Sequence, residues 1–271
     1  MVIPNPTDAP RLDRDLARAY ARIFAGLDRL GPGHEETTAL MLARVHPFLP
    51  HAARIADMGC GNGADAVDLA LTLPESQVIA VDALPEMAAA CRDRARRAGI
   101  ARRVTVFVGD MCGEFLARLG VEQLDLIWAS SSIYAVGRRD ALAAWAPLLR
   151  PGGWLLFSDP VWLAAPDQRP DAVSAFWAGA YPDMAQPAEV VAEIAAAGLQ
   201  PISQHLLTEA DWKAYYRPLP ERLAALRGLP PPQDAALAQA IDGLNAEMAV
   251  FDTGFGSYTS GFFIARRSPW D

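Results

Sequence analysis

Ile55-Ala56-Asp57-Met58-Gly59-Cys60-Gly61-Asn62-Gly63 is the stretch whose reading decides the fold. An apolar strand runs into an acidic residue, then into a turn with glycine at every second position, then into an apolar helix from Ala64 to Thr72. Glycines at 59, 61 and 63 let the backbone turn sharply and let a ligand approach without Cβ atoms in the way. The helix that follows offers unpaired N–H groups at its start. A strand, a glycine turn and a helix in this order predict a nucleotide-like cofactor lying across the turn.

Two cofactors fit that turn at first sight. Gly59, Gly61 and Ala64 satisfy the loose dinucleotide pattern G-x-G-x-x-G/A, and Asp82 stands at the spacing of a ribose-binding acid. Gly63 makes the pattern G-x-G-x-G, however, and Asp57 places a carboxylate at the strand end. A carboxylate there repels a pyrophosphate and suits a cofactor carrying an ammonium and a sulfonium. The local reading favours S-adenosylmethionine (SAM) over NAD.

Outward from the turn, strands and helices alternate. Strands are expected at Arg54–Met58, Gln77–Asp82, Val104–Gly109, Leu124–Ala129 and Trp154–Ser158, with a helical segment after each of the first four. That is the pattern of a parallel, doubly wound sheet. Upstream, Arg11 to Leu30 has apolar residues at helical spacing and stops at Gly31-Pro32-Gly33, and a second helix is expected from Glu35 to about His46. Residues 1–50 read as an N-terminal helical lid, and 51–271 as the cofactor-binding domain. Downstream, four prolines and a cluster of aromatics predict an irregular insertion at about 160–186. A helix at Ala188–Ala197 and a strand at Pro201–Leu207 follow. A helical insertion at about 209–250 is broken at Pro218-Leu219-Pro220 and Pro230-Pro231-Pro232, and Gly254 to Arg266 reads as a closing, antiparallel strand.

Bulk properties narrow the partners. The chain has 271 residues, enough for one sizeable α/β domain with insertions, and 52% hydrophobic residues to pack it. A net charge of −8 argues against nucleic acid or an anionic membrane surface, either of which needs a basic face. No window reaches the roughly 18 apolar residues of a spanning helix, and Met1 to Pro10 is polar and proline-rich, unlike a signal peptide. Cys60, Cys91 and Cys112 are scattered and lack metal-ligand spacing. The expectation is a cytoplasmic protein with no metal.

The motifs at the strand ends supply candidate ligand contacts. Asp82, with Ala83 beside it, ends the second strand and can accept both hydroxyls of a ribose. Gly109-Asp110-Met111 follows the third: the acid can accept from an adenine amine while Met111 covers the ring, although Asp110 also suits a helix N-cap. Ala129 and Ser130 leave the fourth strand, where an open sheet lines its ligand crevice. Leu149-Arg150-Pro151-Gly152-Gly153 turns into a buried strand.

Together these residues resemble a class I SAM-dependent methyltransferase, and the resemblance covers nearly everything from residue 31 onward. It implies an α/β, Rossmann-like fold: a seven-stranded mixed sheet in the order 3-2-1-4-5-7-6 with strand 7 antiparallel, an N-terminal helical lid and helical insertions. The implied cofactor is SAM, with S-adenosylhomocysteine as product. Asp57, Gly59, Cys60, Gly61, Gly63, Asp82, Ala83, Asp110, Met111, Ala129 and Ser130 are its implied contacts. A narrower similarity, to bacterial small-molecule methyltransferases, rests on Gly31-Pro32-Gly33 with Thr37, Ile133-Tyr134, Phe176-Trp177, Tyr181-Pro182 and Trp212 to Leu219. That pattern carries an acid where this chain has Ser130, which points to a different acceptor.

Methyl transfer is a displacement at a sulfonium-bound carbon, so the protein mainly aligns a nucleophile and, for a protonated acceptor, takes its proton. Asp159, His34 and Tyr134 are the candidate bases. Trp162, Trp177, Tyr181 and Tyr216 fall in the insertions and are candidates for a substrate pocket, apolar or cation-binding, beside a bland role in packing. The fourth strand lacks the N/D-P-P-Y/F motif of enzymes that methylate nucleic-acid bases. A small-molecule acceptor at O, N or S is the expectation; the alternatives are a SAM-binding protein without transfer activity and an NAD-dependent oxidoreductase.

Overall fold

In the computed structural model, residues 14–113, 116–119, 123–228 and 235–270 are described. The polar N-terminus, the first residues of the expected first helix and the triple proline lie outside them. In chain order the elements are α1 (Arg14–Phe24), α2 (Glu35–Val45), β1 (Arg54–Met58), α3 (Ala64–Thr72), β2 (Gln77–Asp82), α4 (Pro85–Arg97), β3 (Val104–Val108), α5 (Leu116–Leu119), β4 (Leu124–Ala129), α6 (Arg138–Trp145), β5 (Leu149–Trp162), α7 (Asp171–Ala180), α8 (Pro187–Ala196), β6 (Leu199–Leu206), α9 (Glu209–Tyr216), α10 (Leu219–Arg227), α11 (Ala235–Gly254) and β7 (Tyr258–Arg267).

The seven strands form one sheet in the order β3-β2-β1-β4-β5-β7-β6. β1 pairs parallel with β2 and β4, and β7 runs antiparallel to β5 and β6. This is the mixed sheet that the resemblance implies. The central strands read as continuous apolar runs because helices cover both faces. Ile55, Leu126, Trp128, Leu156 and Ile264 face a core built with α1, α2, α3 and the helices of the later insertions. Ala56, Met58, Ile127, Phe157 and Phe263 alternate with them onto the other face, under α6 and α8. Among the described residues no helix is long and apolar enough to cross a membrane.

Several boundaries differ from the sequence reading: α1 ends at Phe24, short of the expected Leu30, and β6 starts at Leu199 rather than Pro201. β5 is longer at both ends than Trp154–Ser158. Leu149 pairs with Leu124, and the antiparallel partner β7 carries the strand on to the pairing of Trp162 with Tyr258. The 160–186 segment is not irregular throughout, since α7 is a regular helix of ten residues. Its prolines do not break it: Pro170 stands at the N-cap and Pro187 opens α8, positions where a missing N–H costs nothing. Lastly, Gly254 ends α11 rather than opening the closing strand. A side chain there would meet Val173 Cγ2 of α7 at 2.2 Å, so glycine lets the two helices touch.

Candidate functional site

The parallel strands deliver β1, β2 and β4 to one edge of the sheet, where the glycine turn begins. Gly59, Gly61 and Gly63 all have positive φ, at 76°, 51° and 81°. Gly63 is the most constrained, because a Cβ would lie 2.8 Å from the Cα of Cys91 in α4. It shapes the turn from behind and does not line the cleft. A Cβ on Gly59 would lie 2.4 Å from the Cβ of Ser132, whose hydroxyl donates to Met58 O at 2.6 Å. The turn is thereby seated against the exit of β4.

Asp82 is fixed from two sides. Gly61 N donates to Oδ2 and Leu84 N to Oδ1, both at 2.9 Å. Burial raises its pKa, and the two backbone donors pull it back down in part. Asp57 is in a harsher place. It is 2% exposed, and its Oδ2 has no hydrogen-bond partner among the described residues. Burial, followed by the negative charge of Asp65 and weaker effects of Cys91 and Asp82, holds its pKa well above the carboxylate range. A buried carboxyl with an unpartnered oxygen beside a glycine cradle suits a cation and disfavours a pyrophosphate. Cys60 hydrogen-bonds to Cys91 and is buried, and its thiol is pushed well above its ordinary value, which leaves it no nucleophilic role.

A cleft of about 980 Å³ opens over this turn. Asp57, Gly59, Cys60, Gly61, Asp82, Ala83, Asp110, Met111 and Ser130 all line it. Ala129 does not, being buried in the sheet. One Asp110 oxygen accepts from Cys112 N at 2.8 Å, so the acid caps its own turn as well as facing the cleft. Tyr20 and Phe24 of α1 form the opposite wall. The 27–33 loop then folds over the turn: Asn62 Nδ2 donates to Leu27 O at 2.6 Å, Arg29 pairs with Asp65 and Asp68 at 2.7 Å each, and Leu30 packs on Gly61.

A second, small chamber of about 30 Å³ adjoins the cleft, and the two share Leu30, Gly31, Pro32 and Ser131. Tyr134, Trp177, Tyr181, Trp212, Glu247 and Ser260 line it from the other elements. Ser131, at the junction, has a φ of 52°, a conformation unusual for a residue with a side chain, and its N–H donates to Ser158 Oγ at 2.7 Å.

The three candidate bases do not converge here. His34 lines neither cavity; it starts α2, 41% exposed, with Nε2 3.3 Å from Asp211 Oδ1. Asp159 is fully buried behind the chamber, where Arg138 Nη1 (2.5 Å) and Tyr181 Oη (3.0 Å) both donate to its Oδ2. Burial raises its pKa to about 6 against the pull of Arg138. Tyr134 does line the chamber, but burial and the charge of Glu247 raise its pKa, so it stays protonated at neutral pH and donates rather than accepts. Of the aromatic candidates, Trp177 and Tyr181 line the chamber. Tyr216 stands one layer out and donates to Glu247 Oε1 at 2.9 Å. Trp162 packs under Arg169, 4.0 Å from its ring centre, and edge-on to Tyr258.

The comparisons with known proteins bear on the same region. Residues 55–153 match a family described as "Methyltransferase domain". The chain is 31% identical over 156 residues to a malonyl-[acyl-carrier protein] O-methyltransferase from Laribacter hongkongensis, covering 56% of this chain and 52% of that protein. It is 32% identical over 169 residues to a ribosomal RNA small subunit methyltransferase G from Mycolicibacterium gilvum, covering 57% of this chain and 70% of that one. The chain belongs to the class I SAM-dependent methyltransferases. Its fold matches a solved SAM-dependent methyltransferase from Thiobacillus denitrificans in complex with S-adenosyl-L-homocysteine, with a TM-score of 0.75 and 20% identity over 95% of this chain and 98% of that one. This methyltransferase spans about half the length of the first curated relatives it matches, 52% and 54%.

Sequence reasoning missed Glu247 and Ser131, and it did not single out the partner of Asp159. Glu247 had a legible signal. It stands on the buried stripe of α11, three residues after Leu244 and four before Phe251, where a helix carries apolar residues. Arg138 is likewise a charge on a buried position, 4% exposed, and Glu193 and Asp183 O join Asp159 around it.

Proposed function

We propose that this chain binds SAM in the large cleft and transfers its methyl group to a small-molecule acceptor seated in the adjoining chamber. The observation that carries this reading is the junction itself. A glycine-cradled cleft with a buried, unpartnered carboxyl oxygen meets a small aromatic chamber at Gly31, Pro32 and Ser131. A chamber of that size takes one small group of an acceptor, which suits a metabolite better than a folded macromolecule.

Bound SAM supplies a sulfonium-bound methyl carbon, to which the acceptor's lone pair forms a bond as the carbon–sulfur pair returns to sulfur. Asp57 accepts from the cofactor's ammonium, Asp82 from its ribose hydroxyls, and Asp110 with Met111 holds its adenine. Leu30, Gly31 and Pro32 cover both sites, so the N-terminal segment acts as a lid that excludes water and fixes the approach. Such alignment is worth about 7–11 kcal/mol in favourable cases. With His34 outside, Asp159 tied to Arg138 and Tyr134 held protonated, catalysis rests on positioning rather than on a dedicated base of this expected set.

The test is calorimetric titration with SAM and with NAD, followed by a screen for S-adenosylhomocysteine formation across metabolites. Micromolar binding of SAM with no binding of NAD, and turnover of at least one small acceptor, is expected. Preference for NAD, or turnover restricted to ribosomal RNA or protein, overturns the proposal.

A further inference from the structure

The chamber's walls and floor differ in kind. The walls are aromatic: Tyr134 and Tyr181 stand 5.9 Å apart between centroids, and Trp177 and Trp212 lie 5.0 Å and 5.7 Å from Tyr258 behind them. The floor is Glu247, 1% exposed, the one charged group among the described residues that line the cavity. A carboxylate set among rings projects its field into the cavity with little water to screen it. The surroundings register that charge. It raises the pKa of Tyr134, Tyr215, Tyr216 and Tyr258 after burial has already done so, and it helps push Tyr20 to about 12. Tyr215, on the same cluster, keeps a buried hydroxyl with no hydrogen-bond partner among the described residues.

We infer that the acceptor of this methyltransferase carries a cationic nitrogen, and that Glu247 with the faces of Tyr134, Trp177, Tyr181 and Trp212 recognises it. Both halves of the cavity point to that chemistry. A ring face attracts a cation through its negative quadrupole, most strongly where water is excluded. A carboxylate supplies the opposite charge and accepts from N–H groups at the same place. An anionic acceptor meets a buried negative charge, and a neutral apolar one gains nothing from it. Tyr216, donating to Oε1, holds the carboxylate in its rotamer. Glu247 is thus a specificity-determining residue. The inference rests on the proposed placing of the acceptor in this chamber and adds its charge class.

Alkylammonium ions from methylammonium to tetramethylammonium, each paired with an uncharged alcohol of similar size, are titrated into the full chain saturated with S-adenosylhomocysteine. Tryptophan fluorescence follows binding, since Trp177 and Trp212 line the cavity. At least one ammonium ion is expected to bind ten-fold or more tightly than its paired alcohol. Glu247→Gln keeps the shape and is expected to weaken that ion about 10- to 100-fold, leaving the alcohols within two-fold and S-adenosylhomocysteine affinity unchanged. Equal affinity of ions and alcohols in the wild type, which needs no variant to fold, overturns the inference. So does a Glu247→Gln protein that binds the ions as the wild type does. Failure of S-adenosylhomocysteine to bind the wild type overturns the underlying reading as well, whereas cofactor binding without charge discrimination overturns this inference alone.

Discussion

Replacing Asp57 by asparagine separates what this carboxylate costs the fold from what it gives the cofactor. The side chain is buried, one oxygen has no hydrogen-bond partner among the described residues, and its pKa stands well above the unfolded value of 3.8, chiefly through burial. A raised carboxyl pKa means that the folded chain binds a proton that the unfolded chain has lost. The associated stability is complete below pH 3.8 and drains away as pH climbs through the folded value. The asparagine amide has no charge to desolvate, so the ligand-free Asp57→Asn protein should melt higher than the wild type at pH 8, with the gap closing toward acid. The cofactor reverses the sign. Its ammonium favours ionised Asp57, so binding expels a proton, and affinity rises ten-fold per pH unit while the carboxyl is protonated in the free protein. Losing a hydrogen bond between charged groups costs about 1.5–3 kcal/mol, or roughly 10- to 150-fold in Kd. Calorimetry with SAM in phosphate and in Tris, whose protonation enthalpies differ, reads both quantities. Proton release is expected in the wild type and absent in the variant. An unchanged Kd in the variant, or a lower melting temperature of its ligand-free form at pH 8, would refute the reasoning.

Asp82→Ala removes the acceptor assigned to the ribose and unhooks the N–H groups of Gly61 and Leu84; SAM affinity should fall by about 1.5–3 kcal/mol in a titration. Gly63→Ala forces a side chain toward the Cys91 backbone at a φ of 81°. It should lower stability by more than the roughly 1–2 kcal/mol of a left-handed residue, as read from urea midpoints. Arg138→Met strands Asp159 in the core; breaking such a buried pair costs about 3–5 kcal/mol. Because the Asp159 pKa stands at about 6 even with Arg138 present, the loss should be larger at pH 8 than at pH 5, where the proton answers the charge. A pH-independent melting difference would count against the pairing.

How much of this was legible in the sequence depends on whether the signal was local. β1, β2 and β4 have the bounds expected from the sequence, because the apolar core of each is packed within the sheet and polar residues mark its ends. β5 was underestimated, since its last residues owe their extension to β7, about a hundred positions away. The glycine turn was legible because its signal is local: Gly59 and Gly61 both bend the chain and line the cleft, while Gly63 only bends it. The chamber was not legible in that way. Its walls come from the β4 exit, α7, α9, α11 and the 27–33 loop, and only the folded chain brings Tyr134 and Glu247 to one cavity. Asp159 shows the opposite case. A carboxylate at the end of a strand reads as a site residue, yet Arg138 and Tyr181 both donate to its Oδ2, and neither partner is near in sequence; Oδ1 has no partner among the described residues.

The 27–33 loop makes the two sites one machine. Arg29 and Asn62 pin it to the helix and turn of the cofactor cradle, Leu30 rests on Gly61, and Gly31 presses against Ser131, where a Cβ would come within 2.4 Å of Oγ. Two residues further on, Gly33 N donates to Asp211 O, and the Asp211 side chain accepts from Thr37 at 2.8 Å. Asp211 belongs to α9, the helix that contributes Trp212 to the chamber. One short loop therefore touches the glycine turn, the junction at Ser131 and the helix that walls the small chamber. A ligand that presses on the loop from either cavity acts on a wall that the other cavity shares. Binding in the two cavities is therefore expected to be coupled, which a change in S-adenosylhomocysteine affinity on filling the small chamber would read.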